Sequence, residues 1–255
     1  MFNSIAKYRE LLLILVARNI KIRYKNSILG FFWTLLSPIF LILIYAVFLG
    51  LLKVPIPHPV LVTGIIVWQF LAMCLGDSLH AIVGNANLVT KTAFPRIVLP
   101  LAMVIANLVN FLLSCTVLLV FLLLAKVTFG PIWLLPLVLM TQFALCLGMA
   151  LLLATANVFF RDTEHILSIL MLAWFFMSPV IYQVTLVTEK FGQGISSLFF
   201  LNPMTGIVLG YRAALLSTEI PSTWMLAGSF LVSWIVLAIG IAVFNKCEPM
   251  FGDEL

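Results

Sequence analysis

The residues of this chain that could do chemistry are few, and one group of them stands together near position 160. Asp162, Glu164 and His165 follow Arg161 directly in the sequence. Carboxylates and an imidazole at one face of a membrane would suit an enzyme acting on a lipid-linked sugar, because such a reaction needs an acid and a base. A solvated turn would hold the same residues, and this short polar stretch favours that interpretation.

Other patterns of catalysis and metal binding are missing from the sequence. None of the 14 glycines precedes a lysine, which excludes a P-loop for ATP. His58, His80 and His165 share no ligand spacing with each other or with a cysteine, so we predict no metal site. Asp77 alone, near the end of an apolar run, is a poor candidate for a proton or sodium relay. The chain therefore has no visible energy source of its own, which points to a partner.

The composition indicates which solvent surrounds these residues. Apolar residues make up 64% of the chain and charged residues 9%, whereas soluble domains carry about 25% charged residues. Six of the 14 lysines and arginines fall in the first 25 residues, within a formal net charge of +5. A basic N-terminal segment could bind nucleic acid, but in a chain this rich in apolar residues an anionic membrane surface is the better fitting partner. We expect membrane lipid as a partner and no nucleic acid.

Six apolar stretches are long enough to cross a membrane, which takes about 20 residues. They predict an all-α integral membrane protein forming one domain over residues 1–255, with spans one to five in residues 30–187 and the last span and tail in 224–255. The stretches are Phe31–Leu52, Val60–Gly84, Ile97–Ala125, Ile132–Phe160, Ile166–Val187 and Trp224–Phe244.

An even number of spans places both termini on one side of the membrane. That side holds the basic N-terminus with Lys91, Arg96, Arg161 and Lys246, whereas the other side holds Lys53, Lys126, Lys190 and Arg212. Because positive loops stay inside, we predict that both termini are cytoplasmic.

The spacing of charged and apolar residues in 1–29 predicts an amphipathic helix that lies in the headgroup layer. A segment that only anchors the membrane topology would show the same spacing. Its charged face carries Lys7, Glu10, Arg18, Lys21 and Lys25, and its apolar face Ile5, Tyr8, Leu12, Leu15 and Ile22.

Two connections are unusual. The loop Asn85–Arg96 begins polar and ends in an apolar residue beside a charge, which predicts a docking surface or, equally, an ordinary turn. The segment 188–223 contains the apolar runs Ile195–Leu201 and Ile207–Leu216, each too short to span and broken by glycine and proline. This pattern is typical of external re-entrant half-helices before the last span.

Four stretches of the chain match the motifs of a known family. The run 23–38, RYKNSILGFFWTLLSP, resembles the RY…LG..W..L.P signature of polysaccharide-exporting ABC transporter permeases, which are type-2 ABC exporters. Residues 157–162 (NVFFRD) resemble the FRD motif of that family, and residues 178–182 resemble its SPVIY motif. Asn202-Pro203 with Tyr211-Arg212 resembles its NP…YR motif. The resemblance covers nearly the whole chain in order.

The resemblance implies a half-transporter. A second copy of the chain would complete the permease, and two ATP-binding-cassette ATPase subunits in the cytoplasm would supply ATP and magnesium, with no cofactor in this chain. The cargo would be a lipid-linked polysaccharide such as O-antigen, capsule or teichoic acid, moved across the bacterial inner membrane. Two alternatives stay open: an exporter of the same class for a drug or lipid, and the membrane enzyme described above.

The resemblance also implies roles for particular residues. Arg161, Asp162, Asn202, Pro203 and Arg212 belong to the motifs, and an interfacial charge pair explains Arg161-Asp162 better than contact with the substrate does. Segment 188–223 would act as a gate. A coupling helix in the 85–96 loop would contact the ATPase, with Phe94 packing in a cleft of the ATPase and Arg96 pairing with an acidic residue there. The predicted coupling residues are Leu88, Val89, Lys91, Phe94, Pro95 and Arg96.

Two further sets of residues concern the cargo. The headgroup of the lipid would approach the bend between the interfacial helix and the first span, at Arg23, Lys25, Leu29 and Gly30. Setting the membrane topology is the commoner role of two such cations. Aromatic faces suit a sugar channel, although contact with lipid or packing between helices is the commoner role of such residues. The predicted lining residues are Trp33, Tyr45, Trp174 and Phe175, with Trp68 and Phe176 as further candidates.

Overall fold

The computed structural model describes residues 8–25, 27, 29–51, 53, 56–92, 94–184, 202–217 and 223–255. Throughout this part of the chain the regular structure is helical, with no strand. The helices are α1 (Arg9–Tyr24), α2 (Trp33–Leu51), α3 (His58–Leu79), α4 (Ala86–Lys91), α5 (Val98–Leu124), α6 (Leu134–Phe159), α7 (Thr163–Met177), α8 (Pro203–Leu216), α9 (Thr223–Cys247) and α10 (Phe251–Glu254). Short 3-10 turns cover Gly30–Phe32, Val83–Asn85 and Glu248–Met250.

Four helical segments among the described residues are long and apolar enough to cross a membrane: α3, α5, α6 and the continuous helical stretch Thr223–Glu254. The predicted all-α, multi-pass membrane protein is therefore confirmed. α2 adds an apolar helix of 19 residues, and α7 has only 15. The count of six spans stays a prediction.

The fifth apolar stretch folds differently from its prediction as a span over Ile166–Val187. Its helix, α7, begins at Thr163 and already ends at Met177. Ser178 is extended, with φ −104° and ψ 144°, because the residue before a proline avoids the helical region. Turns follow through Tyr182, and residues 185–201, which include the predicted half-helix Ile195–Leu201, lie outside the described residues.

α3 forms the centre of the bundle and is buried along most of its length. α2, α5, α6, α7 and α8 pack around it. α9 packs on α6 at a crossing of two glycines, Gly148 and Gly240. A methyl group on Gly148 would lie 2.6 Å from the backbone N of Leu237, and one on Gly240 would lie 2.5 Å from the carbonyl O of Gly148. Small residues let the two backbones touch, as is usual between membrane helices.

The N-terminal helix α1 lies along α5, with Leu15 and Val16 buried. The predicted division of its faces is wrong at Arg18. This residue was expected on the wet face, but it points inward and donates to Asn85, while Ile22 of the apolar face is 58% exposed. The reason is that the buried side of α1 meets polar side chains of the bundle, which pair with arginine.

The bundle has two distinct ends. At one end, α4, the turn between α6 and α7, and the C-terminal tail lie together, and we call this the tail end. At the other end, the start of α3, the residues after α7, and α8 lie together. α8 has 14 residues and measures about 21 Å, too short to cross a bilayer, in agreement with the half-helix expected at Ile207–Leu216.

Candidate functional site

Asn202 fixes the start of the short helix α8. Its side-chain Oδ1 accepts a hydrogen bond from the backbone N of Met204 at 3.0 Å, while Pro203 occupies the first turn, where its missing N–H costs nothing. The same Oδ1 accepts from Trp174 Nε1 at 2.8 Å, and Asn202 Nδ2 donates to Ser178 Oγ at 2.9 Å. The Asn-Pro pair is therefore a helix cap that is tied to the end of α7.

Arg212 lies in the same helix and is only 3% exposed. Its guanidinium donates to backbone carbonyls of two other elements: Val60 at 3.1 and 3.2 Å, Val180 at 2.8 Å and Tyr182 at 3.0 Å. Burial lowers the pKa of Arg212 to about 10, so the charge persists at neutral pH. A buried charge is tolerated only when it is well hydrogen-bonded, and here carbonyl dipoles do this.

These contacts bring two motif regions together, SPVIY and NP…YR, which stand 20 or more positions apart in the sequence. We call Ser178, Val180, Tyr182, Asn202 and Arg212 the outer clamp. The clamp closes tightly on α3, because a methyl group on Gly64 would lie 2.1 Å from the Val180 carbonyl. The sequence predicted these residues as motifs but not their contacts.

A second cluster of polar residues lies between α1 and the bundle. Arg23 Nη2 donates to Asp77 and, at 2.8 Å, to Asn107 Oδ1. Asn107 Nδ2 donates to Asp77 Oδ2 at 2.7 Å, which closes a triangle. One turn away Arg18 donates to Asn85, whose Nδ2 donates to the Ala81 carbonyl at 2.9 Å. Arg23 thus has a carboxylate partner within its own chain.

Two cavities flank this cluster, and Arg23 lines both. One, of about 240 Å³, extends between α1, α2, α3 and α5; the other, of about 350 Å³, lies beside the ion pair. Arg23 Nη1 and Asn110 Nδ2 are buried there with no hydrogen-bond partner among the described residues, so donors remain for a ligand. We call the cluster and its cavities the polar cleft; its lining includes Arg18, Arg23, Asp77, Asn85, Asn107 and Asn110.

The other residues predicted for the headgroup lie at the bend that leads from α1 to α2. Gly30 has φ +48°, a left-handed conformation that glycine adopts without strain, and its N donates to Ser27 Oγ at 3.1 Å. Leu29 and Lys25 are exposed beside it. The sequence predicted this bend, but it did not predict that Asn107 and Asn110 line the site or that Asp77 points inward. The presence of asparagines and a carboxylate in apolar helices was the signal that could have indicated these residues.

The predicted coupling residues lie at the tail end. Val89 is buried, Leu88 and Phe94 are half-buried against an apolar cluster of the same chain, and Lys91 is exposed. Arg96, next to Pro95, was expected to pair with an acidic residue of a partner. Within the chain it bonds to Glu248 of the C-terminal tail, with its backbone N 2.8 Å from Glu248 Oε1. Its pairing with the ATPase stays a prediction.

All but one of the predicted channel aromatics gather into one cluster near the clamp. Phe175 is buried and stacks on Tyr45 with ring centroids 5.8 Å apart. Trp68 meets both Phe175, at 5.4 Å, and Trp174, at 6.1 Å, edge-on. Trp33 stands apart from them, 44% exposed and lining the polar cleft. Phe175 therefore packs inside the protomer in this conformation.

The acidic group that opened the sequence analysis lies on the surface. Asp162, Glu164 and His165 are all exposed around the start of α7, and Glu164 Oε2 lies 3.8 Å from His80 Nε2. Arg161 is exposed as well, and within the described part of the chain neither it nor Asp162 forms an ion pair. A solvated turn describes this stretch.

Comparison with known proteins agrees with these features. The chain is 33% identical over 257 residues to the O-antigen export system permease protein RfbA of Myxococcus xanthus, which covers 98% of this chain and 96% of the relative. It is 30% identical over 251 residues to the protein of the same name from Klebsiella pneumoniae, covering 96% of this chain and 95% of the relative. The family model for ABC-2 type transporters matches residues 10–216. This protein therefore belongs to the ABC-2 type transporter family.

Proposed function

We propose that this chain is the transmembrane subunit of an ATP-driven exporter that moves a lipid-linked, O-antigen-like polysaccharide out of the cytoplasm. The observation that carries the proposal is the similarity to O-antigen export permeases along more than nine-tenths of both chains. The family supports a transport subunit rather than an enzyme. Two copies would form the permease, and two ATPase subunits would bind ATP and magnesium for it.

The tail end faces the cytoplasm in this proposal, and the chain crosses the bacterial inner membrane six times. α2 and the stretch that starts with α7 would add two spans to the four that are long and apolar enough. The distribution of charge supports the orientation, since Lys91, Arg96, Arg161 and Lys246 all lie at the tail end. The outer clamp then lies toward the external face.

The polar cleft would receive the phosphate-bearing headgroup of the lipid carrier. Arg23 lines both cavities, and one of its buried N–H donors has no partner within the described part of the chain. Arginine binds phosphate through paired N–H groups. Lys25 and the Leu29-Gly30 bend follow Arg23 in the chain, but they do not line either cavity. Asp77 would hold Arg23 in place while the cleft is empty, and the phosphate would then compete for its guanidinium.

Channel and gate would lie at the interface of two copies. Trp33 and Tyr45 on α2 remain candidates for the lining, and rotation of α7 would be needed to present Phe175 beside Trp174. Segment 188–223 would gate the external end, anchored by the outer clamp. Nucleotide binding would close the ATPase pair, and the α4 region would transmit that motion to the spans.

Deletion of the gene in its host tests this function by locating the lipid-linked polymer. Polymer that accumulates on the cytoplasmic face, with none at the cell surface, is the expected result. Restoration by the wild-type gene, but not by an Arg23→Ala variant expressed at the same level, would connect export to the polar cleft. Loss of the polymer altogether would favour a role in its synthesis, and normal surface polymer would favour a drug or lipid exporter.

A further inference from the structure

Arg96 joins three separate parts of the chain at the tail end. Its backbone N donates to Glu248 Oε1 at 2.8 Å, and its guanidinium donates to the backbone carbonyl of Glu248 and, at 3.4 Å, to that of Val89. Arg96 donates both bonds to residue 248 and Glu248 accepts both, and each residue contributes one backbone and one side-chain group. The link therefore depends on geometry and not on a simple pairing of opposite charges.

Phe251 anchors the tail a few residues before the end of the sequence. Its side chain is 0% exposed, and its ring lies 5.3 Å from that of Phe244 in α9 and 6.2 Å from that of Phe159 at the end of α6. It belongs to the same apolar cluster as Val89 of α4. Burying a phenylalanine side chain contributes about 2–3 kcal/mol, which is enough to hold a short terminal segment that would otherwise fray.

The tail thus connects the short helix α4, the start of α5 and the end of α6 to the last helix, α9. We propose that residues Glu248–Phe251 are a working part of the coupling element, which transmits movement of α4 directly to α9. This inference rests on the proposed function, because it assumes an ATPase that moves α4. Glu248 and Phe251 are positioning residues in it, and neither has to touch the ATPase.

The structure provides matched controls for a test. Residues 252–255 follow Phe251 and are exposed, so a chain ending at Phe251 keeps the tail link, whereas a chain ending at Cys247 loses it. Met250 is 50% exposed beside the buried Phe251. Glu248→Gln keeps an oxygen that can accept from the Arg96 backbone N, whereas Glu248→Ala does not.

The experiment uses the whole permease co-expressed with the ATPase subunit of its own export system, in cells that lack the native permease. Three quantities are measured: ATPase subunits bound per permease, ATP hydrolysis by the purified complex, and polymer exported to the surface. We expect Phe251→Ala, Glu248→Ala and the chain ending at Cys247 to bind the ATPase and hydrolyse ATP normally but to lose export about tenfold. Met250→Ala, Glu248→Gln and the chain ending at Phe251 should export like wild type.

Normal export by Glu248→Ala and Phe251→Ala would overturn the inference. So would a parallel loss of hydrolysis, export and permease in the membrane, because it would show that the tail serves folding alone. Glu248→Ala decides this point if Phe251→Ala fails to fold, since it removes one hydrogen bond and no core packing. If wild type bound no ATPase and restored no export, the proposed function itself would fail, and this inference with it.

Discussion

Replacing Arg212 tests whether the outer clamp holds this part of the fold together. Arg212→Met keeps a long apolar side chain but removes every N–H donor, and Arg212→Lys keeps the charge on a single ammonium group. A lysine cannot reach the carbonyls of Val60, Val180 and Tyr182 together, since its donors radiate from one atom. We therefore expect the methionine variant to be the less stable and the lysine variant to fall between it and wild type.

The size of the effect follows from the bonds that are lost. The Val60 carbonyl lies within helix α3 and keeps its helical partner, so the main loss concerns the bonds to Val180 and Tyr182. A hydrogen bond from a charged donor contributes about 1.5–3 kcal/mol. Removal of the buried charge recovers part of that loss, which leaves a net destabilisation of about 3 kcal/mol for methionine and about half of that for lysine.

The cysteines of the chain provide the assay. Cys74 and Cys146 are fully buried, so a fluorogenic maleimide reacts with them only when the bundle opens. Cys115 and Cys247 are half-buried and would be replaced by alanine in the background. A loss of about 3 kcal/mol lowers the midpoint of thermal unfolding in detergent by about 10 °C for a protein of this size.

The control is Lys126→Met, which removes an exposed cation from the connection between α5 and α6 at the same end of the bundle. It should leave the unfolding midpoint unchanged. An Arg212→Met variant that unfolds within about 2 °C of wild type would refute the reasoning, because the clamp would then contribute less than about 1 kcal/mol.

Three further substitutions have outcomes that follow from the structure. Asp77→Ala removes the carboxylate partner of Arg23 and should lower export about tenfold, whereas Asp77→Asn keeps an acceptor and should export at a level between wild type and the alanine variant. Export is measured at matched membrane levels, and equal export by all three proteins would contradict the role of the polar cleft. Gly148→Ala places a methyl group against the backbone of α9 and should lower the free energy of unfolding by about 2 kcal/mol, whereas Gly76→Ala, with open space around it, should be neutral or stabilising. The thiol assay compares the two variants, and similar unfolding midpoints would exclude the close crossing of α6 and α9. Gly30→Ala forces a side chain into a left-handed conformation and should lower the free energy of unfolding by about 1 kcal/mol, while Gly30→Asn should lower it less. If asparagine were the more destabilising of the two, residue 30 would not have the left-handed conformation.

The sequence predicts the long helices well because each is one continuous apolar run. The third and fourth stretches, Ile97–Ala125 and Ile132–Phe160, begin and end within two residues of helices α5 and α6. The helix of the fifth stretch ends earlier than predicted because of Pro179. The sequence beyond Pro179 is also apolar, so hydropathy did not indicate the end of the helix. Hydropathy measures the environment of a segment, whereas the end of a helix depends on one local conformational restriction.

The candidate site was predictable only where its residues are neighbours in the sequence. The Leu29-Gly30 bend and the Asn202-Pro203 cap are local, and both have the conformations that their residue types favour. Arg23 meets Asp77 54 positions away, and Arg96 meets Glu248 152 positions away. No spacing rule indicates such a pair, since it depends on which helices become neighbours.

Arg18 and Asp77 show how an interpretation by periodicity alone can mislead. Arg18 belonged to the predicted wet face of α1, yet it turns toward Asn85. Arg23 was not assigned to that face, and it turns toward Asp77. An acidic residue near the end of an apolar helix needs a partner, and in the fold Arg23 of the neighbouring helix α1 provides it. The sequence shows that Asp77 needs a cation but does not show which one.

ATP-driven movement of polymer across the membrane is the central claim, and inverted membrane vesicles test it most directly. Vesicles that contain this chain, the ATPase subunit and labelled lipid-linked polymer are treated with a glycan-degrading enzyme before and after addition of ATP. The account predicts that ATP protects the polymer by moving it into the vesicle, and that vesicles without this chain give no protection. Polymer that stays fully digestible with ATP present, or that is protected equally without this chain, would contradict it.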